Sequence, residues 1–287
     1  MNLADLDYIE DKKGNFWIIH GGGDTFYCNL VFSPDIFGDR VNKKNGRNYS
    51  KVILDNMGFM PIEELEVASV LNPRDFFEKN YSSIPEDWKR IPEAIISLGI
   101  DKASLGIFGS FLLGFDVVKD IDFVVYGKEN CKSILNNLEL LRSRIGCGSI
   151  SREHVLYQSK KYGDIYSSEN DFKKILSRNL AGMQMSTSVL STIRFVYDYF
   201  ESPEDIVIRR GKEITLEGKV SDSFGFNFVP RIASIDSEIG NVRLLTYNWM
   251  FKSCLRDEDK IKVHGEYCKE NNTLYLSKKE HWLKYID

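Results

Sequence analysis

Two features between Leu105 and Gly127, in the run LGIFGSFLLGFDVVKDIDFVVYG, could do chemistry: the pair Asp120 and Asp122, and the Gly109-Ser110 turn upstream of it. Side chains alternate across a strand, so Asp120 and Asp122 project to one side, roughly 6 to 7 Å apart, while Ile121, Phe123 and Val125 face the other. Two carboxylates on one sheet face can hold divalent cations. Mg2+ and Mn2+ favour carboxylate and phosphate oxygens, and a pair of such ions about 4 Å apart can activate an attacking oxygen and stabilise a leaving one.

The elements that must position these groups follow from the same run. Ser104 to Phe108 reads as a short buried strand, Gly109 lets the backbone turn tightly, and Ser110 is placed to cap an apolar helix beginning at Phe111. Free amides at such a start attract phosphate. Asp120 to Tyr126 is then the strand that carries the carboxylates.

This order of strand, Gly-Ser turn, helix and Asp-Ile-Asp strand resembles the nucleotidyltransferase superfamily of DNA polymerase beta, whose signature is Gly-Ser or Gly-Gly followed about ten residues later by Asp, a hydrophobic residue, and Asp or Glu. The resemblance implies a nucleoside triphosphate as substrate, its phosphates gripped at Gly109 and Ser110. It also implies Mg2+ or Mn2+ on Asp120 and Asp122, and transfer of a nucleoside monophosphate with release of pyrophosphate. A broader similarity, to a set of archaeal nucleotidyltransferases, rests on Gly38-Asp39-Arg40 and on Ile193-Arg194-Phe195-Val196, motifs without mechanistic content of their own. Members of the superfamily usually add a third carboxylate from a neighbouring strand. The strand aligned there is Ile193 to Asp198, in which Arg194 stands where an acid is expected. Two consequences are open: Asp198, two pleats further on the same face, takes the third-ligand role, or Arg194 binds the triphosphate in a protein that binds nucleotide or RNA without turning it over.

At 287 residues, 43% hydrophobic and 28% charged, the composition is that of a globular chain with room for two or three compact units. No apolar stretch approaches the roughly 20 residues that span a bilayer, and the start MNLADLDYIEDKKG lacks a signal-peptide core, so a cytoplasmic location is expected. The five cysteines, Cys28, Cys131, Cys147, Cys254 and Cys268, show no Cys-x-x-Cys spacing and read as reduced thiols; the four histidines show no metal spacing and receive no role. A net charge of −4 argues against a general nucleic-acid coat while leaving room for a local basic patch.

The expected fold class is α+β, in three parts: a β-rich module and linker over residues 1–75, a mixed sheet with helices of nucleotidyltransferase type over 76–203, and a β-barrel over 204–287. In the first part Asn15 to His20, Phe26 to Phe32 and Tyr49 to Leu54 read as strands, with Arg40, Lys43, Lys44 and Arg47 around a loop. Helices are expected to start near Pro73 and Pro92, another to run from Glu129 to Ile145, and a fourth to follow a capping-box-like Ser168 to Asp171 with Phe172, Ile175, Leu176 and Leu180 buried and Lys174 and Arg178 on its other face. From Ser191 the period changes to two, giving strands at Thr192 to Tyr199, Ile206 to Ile208, Ile214 to Val220, Phe224 to Ile232, Val242 to Tyr247, Lys260 to Cys268 and Thr273 to Leu276. Five or six short strands suggest a small barrel, of which the oligonucleotide-binding barrel is one kind. Phe224, Phe226, Phe228, Tyr247, Trp249, Tyr267 and Tyr275 would then be stacking residues or one inner face. With Arg209, Arg210 and Lys212 nearby, RNA is the favoured acceptor over a protein side chain or a small molecule.

Overall fold

A computed structural model describes residues 3–22, 25–34, 41–52, 60–62, 65–147, 155–156, 159–160, 169–178, 183–184, 190–198, 211–228, 230–247, 251, 255–278 and 280–286. Gly38-Asp39-Arg40, Ser168, Leu180, the strand expected at Ile206 to Ile208, Arg209, Arg210 and Trp249 lie outside them. The fold is α+β with several sheets and a closed C-terminal barrel. Described residues up to 147 with 183–184 and 190–198 form one compact unit; 155–156, 159–160, 169–178 and those from 211 onward form the other.

In the first unit, β1 (Tyr8–Asp11), β2 (Phe16–Gly22), β3 (Thr25–Ser33), β4 (Val41–Lys44), β5 (Arg47–Lys51), β6 (Met60–Pro61) and β7 (Val67–Leu71) build a seven-stranded sheet in the order β4-β5-β3-β2-β1-β7, with β6 alongside β3. The expected loop around residues 42–48 is a tight hairpin. Asn45 and Gly46 adopt φ of 52° and 78°, the double left-handed turn that matches strand twist. Its basic residues lie over rings of the same sheet: Lys44 Nζ is 4.7 Å from the centroid of Phe16, and the Arg47 guanidinium 5.8 Å from that of Tyr49.

Helix α1 (Pro73–Asn80) starts at the predicted proline, where the missing N–H costs nothing, and Asn72 caps it by accepting from the amides of Arg74 and Asp75. Helix α2 (Glu86–Ile96) starts after Pro85 and runs through Pro92, so the second proline is inside the helix and not at its head. The site sheet comprises β8 (Leu105–Phe108), β9 (Asp120–Tyr126), β10 (Met183–Gln184) and β11 (Leu190–Val196), in the order β10-β11-β9-β8. It is mixed: β8 is antiparallel to β9, and β11 parallel to it. The helix expected over Glu129 to Ile145 is two, α3 (Lys128–Asn136) and α4 (Leu138–Ile145), divided where Asn137 leaves helical geometry and its side-chain amide donates to the Ser133 carbonyl. β9 alternates as predicted, with Ile121, Phe123 and Val125 buried on one face. Its other face is no free surface: Val124, Tyr126 and Val196 share a core with Tyr8, Phe16, Phe32 and Tyr49 of the N-terminal sheet.

The second unit holds α5 (Glu169–Arg178) and a sheet of β12 (Lys212–Asp222), β13 (Arg231–Ser237), β14 (Gly240–Thr246), β15 (Lys260–Cys268), β16 (Thr273–Tyr275) and β17 (Trp282–Tyr285). The order β12-β13-β14-β16-β15 closes on itself through β12 and β15, with β17 added beside β15. Leu216, Val220, Ile235, Val242, Leu244, Val263 and Leu274 fill it, and the predicted stripe of α5, Phe172, Ile175 and Leu176, joins the same core. The opposite residues of α5 meet a carboxylate rather than solvent, with Lys174 and Arg178 3.0 and 2.6 Å from the buried Asp259. The strand expected from Phe224 begins at Arg231; Phe224–Asn227 is a 3-10 turn. Among the described residues no helix is long and apolar enough to cross a membrane.

Asp7, fully buried, accepts from the Ala4 amide at 3.0 Å and the Asn72 side chain at 3.0 Å. Burial pushes its carboxyl up to about 7. An unfolded aspartate ionises near pH 3.9, so the folded chain keeps a proton that the unfolded chain loses. The stabilisation is whole below about pH 4 and lost as pH rises through 7. The thermal midpoint is therefore expected to fall between pH 5 and pH 8, and Asp7→Asn to flatten that fall; an equal slope in both proteins would count against it.

Candidate functional site

The turn after β8 is shorter than the sequence suggests. Leu113 donates to the Gly109 carbonyl at 3.0 Å, Gly114 to Phe111 at 3.2 Å and Phe115 to Ser110 at 3.2 Å, so a single helical turn ends at Gly114, whose φ is 68°. No helix with Ser110 as its cap starts at Phe111, because a residue in left-handed geometry closes the turn within one winding. The turn is held from outside. Asp116 donates from its amide to the Lys43 carbonyl at 2.7 Å and accepts from the Asn45 amide at 3.2 Å, Phe115 packs 4.9 Å from Phe32, and Phe111 lies 5.7 Å from Phe76 of α1.

Gly109 itself has φ 76°, and a Cβ there would stand 2.9 Å from Asp122 Oδ2. The glycine thus meets two demands, a left-handed backbone and close approach to a carboxylate. Register explains the encounter, since Phe108 at the end of β8 pairs with Asp122. Asp120 and Asp122 are both partly buried on the same face of β9. Ser110 follows in the same turn, partly buried.

The strand on the other side of β9 supplies the next neighbours. Thr192 is level with Asp122 and hydrogen-bonds it, and Arg194, one pleat on, faces the same way. The Arg194 guanidinium lies 4.9 Å from the Phe108 ring centroid. Burial pushes Asp122 up to about 6 and the negative charge of Asp120 adds to this, against the pull of Arg194, the Thr192 hydrogen bond and Lys51 of β5. Tyr8 and His20 close the site from the N-terminal sheet. The Tyr8 hydroxyl is hydrogen-bonded to the Gly109 backbone and, mainly through burial, ionises above its ordinary range; His20 is pushed down to about 3 by burial, with Arg194 adding to the effect.

Gly109, Ser110, Asp120, Asp122 and Arg194 are therefore brought to one place, and Asp198 is not. Asp198 lies six residues beyond Thr192 and two past the end of β11, which runs parallel to β9, about 20 Å of extended backbone from the level of Asp122. It pairs instead with Arg74 of α1 at 2.9 Å, while that guanidinium stacks 3.8 Å from the Tyr126 ring centroid. The third-ligand role expected of Asp198 is thus corrected: a regular strand carries it away from the pair. Four neighbours were missed, Tyr8, His20, Lys51 and Thr192. Two of them left a trace in the sequence: alternation sets Thr192 on the face of Arg194, and His20 on the face of Phe16 and Ile18, which pack into the core of the site sheet.

Among the described residues no group of three His, Cys, Asp or Glu side chains is placed to hold a metal ion. Asp120 and Asp122 nonetheless offer carboxylate oxygens from one face of β9, the ligand type that a hard cation takes.

No protein-family model matches the chain, and no curated protein matches it. A search of solved structures finds a partial likeness to a ZRD-deleted mutant of TiaS in complex with agmatine, 20% identical over 24% of this chain and 21% of that one, with a TM-score of 0.19. The chain thus spans about a fifth of that protein, and a likeness so slight bears on neither fold nor function.

Gly109→Ala is expected to cost about 1–2 kcal/mol from left-handed backbone alone, and to displace the Asp122 carboxylate. Urea denaturation measures the first; a change in the pH dependence of stability near pH 6 reports the second. A variant as stable as the parent would show that neither constraint operates.

Proposed function

We propose that this chain is a metal-dependent nucleotidyltransferase that moves a nucleoside monophosphate from a nucleoside triphosphate to an acceptor hydroxyl. The observation that carries the proposal is the closure of the Gly109 turn on Asp122, with Asp120 beside it, on one face of a mixed sheet. In the transfer the acceptor oxygen bonds to the α-phosphorus, the bond from that phosphorus to the α–β bridging oxygen breaks, and pyrophosphate leaves with the electron pair. The acceptor proton passes to solvent. A bound Mg2+ or Mn2+ supplies charge that eases ionisation of the attacking hydroxyl and offsets the phosphates. Asp120 and Asp122 would hold it, the Gly109-Ser110 turn would seat phosphate oxygens, and Arg194 would meet the remaining phosphate charge.

RNA is the acceptor class we favour, supported by a closed five-stranded barrel of the general kind used by oligonucleotide-binding domains. Stacking is a weaker support than the sequence suggested. Phe226, Phe228, Tyr247 and Tyr275 are buried, which leaves Phe224 and Tyr267 partly exposed among the described aromatic residues of that set.

A second reading, a nucleotide- or RNA-binding regulatory protein without transfer, is favoured by Arg194 and Thr192 lying where a third carboxylate would be sought. The two separate in one experiment, in which the purified chain is incubated with each labelled nucleoside triphosphate, Mg2+ or Mn2+, and a cell lysate. Transfer predicts label in an acceptor, nuclease-sensitive if RNA, and at least a hundredfold loss in Asp122→Asn with its thermal midpoint at pH 8 unchanged or raised. A midpoint raised by nucleotide and metal without label in any product would establish the second reading. Full activity in Asp122→Asn would sink the first.

A further inference from the structure

The surroundings of Asp122 bear on how many cations the site can hold, a question that rests on the nucleotidyltransferase reading. Two divalent ions about 4 Å apart need carboxylates that bridge them and further oxygens on the outer side of each. On the sheet, the positions flanking Asp122 are fixed by register as Phe108 on β8 and Thr192 on β11, a ring and a hydroxyl. The next position of β11 on that face is Arg194. Among the described residues, the N-terminal sheet brings Tyr8, His20 and Lys51 to this side of the site, none of them a carboxylate. Two of the groups that surround Asp122 are thus cations, Arg194 and Lys51, and its hydrogen-bonding neighbour on β11 is Thr192.

Arginine is suited to more than repelling a second ion. Its guanidinium stays charged at any working pH, and its planar fork of N–H groups matches two oxygens of a phosphate. The guanidinium lies over the Phe108 ring at 4.9 Å, which sets it beside the Gly109 turn, since Phe108 and Gly109 are consecutive. His20, a ring nitrogen, is a poor substitute ligand for Mg2+, which prefers oxygen.

We propose that the site holds one divalent cation, on Asp120 and Asp122, and that the Arg194 guanidinium meets the phosphates where a second cation would otherwise stand. The charge that offsets the leaving pyrophosphate is then partly a fixed side chain. Lys51, from a sheet more than fifty residues upstream of the turn, adds to it.

The test counts cations. The full-length chain is equilibrated with Mn2+ and non-hydrolysable α,β-methylene analogues of the four nucleoside triphosphates, and bound Mn2+ per bound nucleotide is measured by ultrafiltration and electron paramagnetic resonance. One Mn2+ per nucleotide, with the six-line spectrum of an isolated ion, is expected. Arg194→Ala should lower nucleotide affinity at least tenfold while leaving that ratio at one, and Arg194→Lys should recover only part of the loss. Two Mn2+ per nucleotide with a spin-coupled spectrum would overturn the single-cation site and leave the nucleotidyltransferase reading standing. Unchanged affinity in Arg194→Ala would overturn the phosphate role of the arginine. No retention of Mn2+ with any of the four nucleotides would overturn the reading of the site itself.

Discussion

The organisation of the first unit depends on one constraint: two carboxylates sit on a sheet face that is, over most of its length, a hydrophobic interface. Along β9 that face runs Asp120, Asp122, Val124, Tyr126, charged at one end and packed under the N-terminal sheet at the other. Ionised groups at the margin of a core survive only if compensated. Compensation is what Arg194, the Thr192 hydrogen bond and Lys51 supply, and it is incomplete, since Asp122 still ionises about two units above an ordinary aspartate. Burial thus leaves Asp122 easier to protonate than an ordinary aspartate, although it lies beside a guanidinium.

The same physics is solved differently at the far end of the face. Tyr126 is buried beneath the Arg74 guanidinium, and Arg74 is neutralised by Asp198 in a partly exposed ion pair. Helix α1 can bring Arg74 there because Gly106 leaves space for it; a Cβ on Gly106 would stand 2.9 Å from that of Pro73. One end of the face is closed by the Arg74–Asp198 pair and carries structure. The other keeps its carboxylates only partly matched and carries the proposed chemistry.

How much of this was legible in the sequence follows from the range of the interactions. The β8-turn-β9 unit was readable because its signals are local: a glycine before an apolar turn, and an aspartate pair in a period-two run. The barrel was readable for the same reason, and the bounds of β15 fall where they were expected. The helix after Ser110 was misjudged because apolar residues at Phe111, Leu112 and Leu113 suggest helix, while Gly114 and the grip of Lys43 and Asn45 on Asp116 end it after one turn. Asp198 was misplaced because face alternation says which side a residue points to and nothing about how far along the strand it lies. Tyr8 and Lys51 were invisible, since they meet Asp122 through the packing of one sheet on another, which leaves no periodic mark on either segment.

The path of the chain carries a further consequence, for synthesis rather than for the finished molecule. Helix α5 belongs to the barrel core, yet it precedes β11, the strand that gives the site sheet Thr192 and Arg194. During translation β9 therefore emerges with one edge unpaired, and its parallel partner is complete only about 70 residues later, on the order of ten seconds at ordinary elongation rates. For that interval the chain exposes a buried strand of Phe123, Val124 and Val125 whose open backbone invites the wrong partner. Pairing two such strands in register would set Asp120 and Asp122 beside their own copies, and like charges so placed disfavour that pairing.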